Sequence, residues 1–160
     1  MDRRNTFAAI SASLLLLSLA LPARDAAAQS ATQLVGSWSP VSANDYNPNP
    51  LGLLIFTADG HYSLTLTKAS LPKFASGVRV KGTAEENQAV VTGSITHLGK
   101  YTVNEKDKTI TFNIEASTFP NFNGTTQTRP FSVSGDELKY VVAVTSAGGK
   151  GSEVVWKRRK

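Results

Sequence analysis

The chain has 160 residues, no cysteine and a formal charge of +5. The lack of cysteine excludes disulfides and thiolate metal sites. Four of the positive charges are the last four residues, Lys157, Arg158, Arg159 and Lys160. The rest of the chain is close to neutral, which argues against a nucleic-acid partner.

Residues 1–28 read as a secretory signal. Arg3 and Arg4 form a positive start, Phe7 to Leu21 is an uncharged apolar run, Pro22 breaks it, and Ala26, Ala27 and Ala28 are the small residues that a signal peptidase accepts. The run is shorter than the roughly 20 residues of a membrane span. The expectation is a cleaved peptide, with cleavage after Ala28, and a periplasmic or secreted product with no membrane span. Residues 29–160 carry 14 basic and 10 acidic side chains, a charge of +4. A chain of that length buries nearly 70% of its unfolded surface in one domain and folds without a covalent staple. The basic C-terminal cluster reads as a solvated tail, with attraction to an anionic membrane surface as the sharper alternative.

The dominant hydrophobic period along this domain is two. Gly36, Ser37 and Trp38 lie on a first strand, with Trp38 expected to plug one end of the fold. Leu53 to Phe56 is an apolar run suited to a strand buried on both sides. Ala58, Asp59 and Gly60 then turn the chain into Tyr62, Leu64 and Leu66, which alternate with polar residues and complete a hairpin. Lys68 to Gly82 is irregular and carries Lys68, Lys73, Arg79 and Lys81 with no acid. It reads either as a solvated loop or as the rim of a pocket for an anion. Thr83 and Glu86 have the spacing of a capping box, and Val91, Ile95 and Leu98 recur at helical spacing with Gly99 where a C-terminal cap belongs. This predicts one short helix near residues 84–97.

Two more hairpins complete the pattern. Tyr101 and Val103 turn through residues 104–108 into Ile110, Phe112 and Ile114, and Phe131 and Val133 turn at Gly135 into Leu138, Tyr140, Val142 and Val144. After Gly148 and Gly149, a last strand runs from Glu153 to Arg158. A meander of that kind hides its edges best by closing on itself. The expected fold class is therefore all-β, a closed antiparallel barrel of about eight to ten strands.

Several of these segments, taken in order, resemble the bacterial lipocalin-like domain family. They are Leu34 to Trp38, Leu53 to Tyr62, Gly82 to Glu86, Gly99 to Val103, and Ser117 to Gly124 continuing through Gln127 and Arg129 to Gly135–Leu138. The resemblance implies a lipocalin-like barrel with an interior for a small, mostly apolar molecule. It also implies that Arg158 stacks over Trp38 to close the barrel base with Gly36. The chain departs from the family pattern at Phe122, where a Trp is expected, at Asn113, where a His is expected, and at Thr126, a position often acidic.

The candidate ligand contacts come from these faces. Arg129 is in phase with Gln127, Phe131 and Val133, which puts a guanidinium on an apolar face. It needs either a ligand carboxylate or phosphate, or protein partners such as Glu115 or the carbonyls of the loop 119–124. Tyr62, Tyr101 and Phe112 are inward aromatic positions, and Phe119, Asn121 and Phe122 form an aromatic loop at a barrel mouth or a plug. His61 lies on a polar face, and His97 is expected at the helix end as a capping cation. The chain has no catalytic signature, no metal-ligand cluster and no nucleotide-binding loop, so no catalytic residue, metal or cofactor is assigned. The leading reading is an exported binder of a small apolar or amphipathic molecule. The alternatives are a barrel-type isomerase, cyclase or hydratase, or a solid barrel acting through its surface.

Overall fold

The computed structural model describes residues 31–160. The expected signal segment 1–28 lies outside the described residues. Among the described residues, eight strands succeed one another as an antiparallel meander: β1 (Gly36–Ser42), β2 (Leu51–Phe56), β3 (His61–Thr67), β4 (Ser94–Asn104), β5 (Thr109–Ser117), β6 (Thr126–Ser134), β7 (Glu137–Val144) and β8 (Lys150–Arg158). Each strand pairs with the next, and β1 pairs with β8, so the sheet is a closed barrel. The all-β closed-barrel expectation holds, at the lower end of the expected strand number.

The period of two builds the interior. Inward side chains of β3 (Tyr62, Leu64, Leu66), β5 (Ile110, Phe112, Ile114) and β8 (Val154, Trp156) are buried, and their neighbours point to the outside. The run Leu53–Phe56 buries Leu54 and Phe56 fully but leaves Leu53 and Ile55 half-buried. The expectation of a strand covered on both sides is thus corrected: the outer face of a single closed barrel has no second layer over it.

The two ends of the barrel differ. At one end the connections are tight turns, residues 57–60, 105–108 and 135–136; at the other they are long, 43–50, 68–83, 118–125 and 145–149. The tight end is closed by Trp38, which is fully buried and donates its indole N–H to the Leu34 carbonyl at 2.8 Å. Arg158 lies over the Trp38 ring, its Cζ 4.1 Å from the centroid. Its guanidinium also donates to the carbonyls of Val35, at 2.8 Å, and Gln33. The C-terminal basic residues are therefore not a free tail. Arg158 closes the base, the Arg159 N–H bonds the Ser37 carbonyl at 2.8 Å, and Lys160 pairs with Asp136 at 3.2 Å.

The helix begins as expected and ends early. In α1 (Ala84–Gly93) Thr83 Oγ1 accepts from the Glu86 N–H at 3.2 Å, and Glu86 accepts from the Thr83 N–H at 2.9 Å, a complete capping box. Ser94 starts β4, and Ile95, His97, Gly99 and Tyr101 then point inward at period two. Ile95 and His97 pair in register with Leu66 and Leu64 of β3, so the ladder overrides the helical spacing. Val91 is 74% exposed and the helix covers little of the barrel. Gly99 does not cap the helix. It sits at a bulge between β4 and β5, where an added Cβ would lie 2.0 Å from the Asn113 carbonyl oxygen.

The clamp at the base makes a direct prediction. Arg158→Met loses a partly shielded cation–π contact and two charge-assisted hydrogen bonds, and should cost about 2 kcal/mol in urea unfolding. Lys157→Met, one residue away on the outer face, should change stability by less than about 0.5 kcal/mol.

Candidate functional site

The long-loop end of the barrel opens into a cleft with about 540 Å³ of empty space, part of it continuous with solvent. Its enclosed part is small. The cavity volume is about 60 Å³, room for a few waters or for one small group. Leu64, Leu66, Ile95, Val142 and Val154 make an apolar wall, and Phe122 and Tyr46 border the opening.

The polar groups concentrate deeper in. Arg129 is 6% exposed and His97 is 3% exposed, and they are the buried polar or charged residues among the described residues. Arg129 comes from the inward face of β6, where alternation placed it. Its Cζ lies 4.8 Å from the centroid of Phe112 and 4.9 Å from that of Tyr140, two rings that are themselves 5.9 Å apart. Its Nη2 donates to Gln127 Oε1 at 2.7 Å. Glu115 is exposed and the loop 119–124 offers Arg129 no carbonyl, so neither expected protein partner of the guanidinium is used. The partners are Gln127, two residues back on the same strand face, and the Tyr140 hydroxyl.

His97 stands beside it on β4, with Nδ1 2.8 Å from the Tyr62 hydroxyl. Burial first, and the Arg129 charge second, push its imidazole down to about 3. Its expected place at a helix end, as a cation, is thereby corrected to a neutral imidazole inside the barrel. Burial likewise raises the Tyr62 and Tyr140 phenols above their ordinary value. Nδ1 is the acceptor found for the Tyr62 O–H among the described residues. A neutral ring accepting at Nδ1 carries its proton on Nε2.

The other predicted contacts are distributed along the barrel axis. Phe122 borders the opening, on the 3₁₀ turn Pro120–Phe122, and Phe119 supports it edge to face at 5.0 Å. Asn121 is exposed on the outside of that turn. Tyr62 and Phe112 pack edge to face at 4.8 Å beneath the residues that line the cleft. Tyr101 lies further down, with its hydroxyl donating to the Thr57 carbonyl at 3.0 Å in the closed half. His61 stays on the outer face, paired with Asp59 at 3.2 Å.

The cationic segment 68–82 does not border the cleft. It folds onto α1, where the Lys68 N–H bonds the Gly93 carbonyl at 2.8 Å and the Ala75 N–H bonds Glu86 Oε1 at 2.7 Å. Lys73, Arg79 and Lys81 are exposed. The wall residues Tyr46 and Tyr140 and the partner Gln127 were missed as site members by sequence reasoning, although Gln127 and Tyr140 stand in the inward phase of their strands.

The family profile for a lipocalin-like domain matches residues 39–159. This chain belongs to the lipocalin-like domain family. The match begins just after Trp38 and runs from the second half of β1 through β8, so it includes Arg158 and the open cleft, while Trp38 lies just ahead of it. No curated protein matches the chain. Among the described residues, no group of three or more histidines and carboxylates is placed to hold a metal ion, and no helix is long and apolar enough to cross a membrane.

The buried imidazole predicts a pH dependence. Folding holds His97 neutral, while the unfolded chain binds a proton near pH 6.5. This contribution to stability is fully present above that pH and is lost as the pH falls toward 3. The limiting slope is about 1.4 kcal/mol per pH unit. His97→Asn keeps a partner for Tyr62 and cannot titrate. The difference in unfolding free energy between the two proteins should shrink as the pH falls from 6.5.

Proposed function

We propose that this lipocalin-like protein is exported and binds a small apolar or amphipathic molecule in the open half of its barrel. One observation carries the reading: a closed barrel whose apolar interior is left unfilled at the end with the long loops, above a floor that holds a buried guanidinium. Clefts with apolar walls and a few fixed polar groups are the usual form of small-molecule sites. The limited enclosed space favours a ligand of a few heavy atoms at the floor, with any larger body projecting past Phe122 toward solvent. Export rests on the character of residues 1–28, which supports a periplasmic or secreted address.

The enzyme reading has the His97–Tyr62 hydrogen bond in its favour. A general base works best with a pKa near the operating pH, and an imidazole held near 3 is a weak base at neutral pH. The balance of these observations favours binding over turnover.

Native mass spectrometry of the protein as its host exports it, with solvent extraction afterwards, tests the proposal. The expected result is a mature chain beginning after Ala28 with a reproducible non-covalent additional mass. In Phe122→Ala the opening loses an aromatic wall, and the occupied fraction should fall in line with an affinity loss of about tenfold, at little cost in stability. A clean apo mass from several growth conditions would count against the binder.

A further inference from the structure

Arg129 is the one charged side chain buried in the barrel among the described residues. Its hydrogen bonds go to neutral groups, the Gln127 amide and the Tyr140 hydroxyl, and no carboxylate lies within 4.0 Å of it among those residues. The ion pairs of the described residues lie elsewhere, at the base and on the outer surface. A guanidinium carries five N–H donors in a plane, and its bonds to Gln127 and to the Tyr140 hydroxyl leave others for the cleft that Arg129 borders. Phe112 and Tyr140, whose ring centroids lie only 5.9 Å apart, flank the guanidinium from one side and do not enclose it.

The groups beside Arg129 on the cleft bring no counter-charge. His97 borders the same cleft with its Nδ1 engaged by the Tyr62 hydroxyl. Gln127 has its carbonyl oxygen turned to Arg129. The acidic group on the cleft, Asp45, sits on the 3₁₀ turn Asn44–Tyr46 at the rim and makes no ion pair with Arg129. A buried cation without a counter-charge is costly, and a planar fork is matched by two oxygens in one plane.

We infer that the cavity takes a monoanion, a carboxylate on a short apolar body, with the carboxylate on the free edge of Arg129 and the body against Leu66, Val142 and Val154. The inference rests on the proposed binding of a small molecule in this cleft and names the class of that molecule. One negative charge matches the one uncompensated positive charge. A dianion would bring a second charge into the same apolar surroundings without a partner.

Calorimetric titration of the exported protein, stripped of bound material, with hexanoate and with hexan-1-ol tests this. The two probes share a chain and differ in the charged head. Hexanoate is expected to bind at least tenfold more tightly, since hydrogen bonds to a charged partner exceed neutral ones by about that factor. In Arg129→Met the advantage should vanish and the alcohol should bind as before. Arg129→Gln serves as a second variant if the first does not fold. Equal affinity of the two probes for the unaltered protein overturns the carboxylate inference and leaves cavity binding standing. A preference that survives in the Arg129 variants overturns the assignment to that residue. If neither probe binds the unaltered protein, both this inference and the binding proposal on which it rests are overturned.

Discussion

Everything in this barrel depends on the seam between its first and last strands. Without the β1–β8 ladder the meander would present two unpaired edges, open to pairing with other chains. The seam brings together residues more than a hundred positions apart, so it must offset a large loss of chain entropy. Arg158 does much of this locally. It covers the Trp38 ring and binds two backbone carbonyls of the segment that leads into β1. The Arg159 N–H then extends the ladder to Ser37. A single guanidinium thus joins three functions: it satisfies carbonyls, shields an indole and fixes the register of closure.

A firmly closed base lets the other end stay open. In the lower half the interior is filled by rings that meet edge to face, such as Phe56 with Tyr101 at 4.7 Å and Tyr62 with Phe112 at 4.8 Å. Above them the strands continue with smaller side chains, Leu66, Ile95, Val142 and Val154, which line the cleft. The transition lies at the level of Arg129. Filling the upper half with larger residues would strengthen the core by ordinary hydrophobic burial. Leaving it open above an unpaired cation is the arrangement of a binding site, where stability is set aside for a partner that arrives later.

Period two and turn chemistry made the strands legible in the sequence. The hairpins at Gly60 and Gly135 and the capping box at Thr83 are local signals that the closed barrel preserves, whereas the stacking of Arg158 on Trp38 came from the family resemblance. The inward phase of Arg129 was also legible, because its neighbours two residues away are apolar or amide. The errors arose where a local pattern competed with a ladder. Val91, Ile95 and Leu98 fit a helix, but Ile95 and His97 find β3 partners and the helix stops at Gly93. That shift of a few residues is what carries His97 from an exposed helix end to the barrel interior.

The partner of Arg129 was not legible either. Sequence reasoning offered Glu115, which shares a strand with Phe112 but has the opposite phase and faces out. The cations of residues 68–82 misled in the same way. Their number suggested an anion-binding rim, whereas the segment is tied to α1 through Lys68 and Ala75, and Lys73, Arg79 and Lys81 are exposed away from the cleft. Charge counted along a chain says little about a site until the strand phases are known.

The central claim is that the open half of this barrel is a binding site built around Arg129. Crystallography of the protein as its host exports it tests this most directly. The account predicts density that belongs to neither protein nor water along the edge of the Arg129 guanidinium, continuing past Val142 toward Phe122. A barrel whose upper half has collapsed onto itself, with Arg129 paired to one of the chain's own carboxylates, would contradict it.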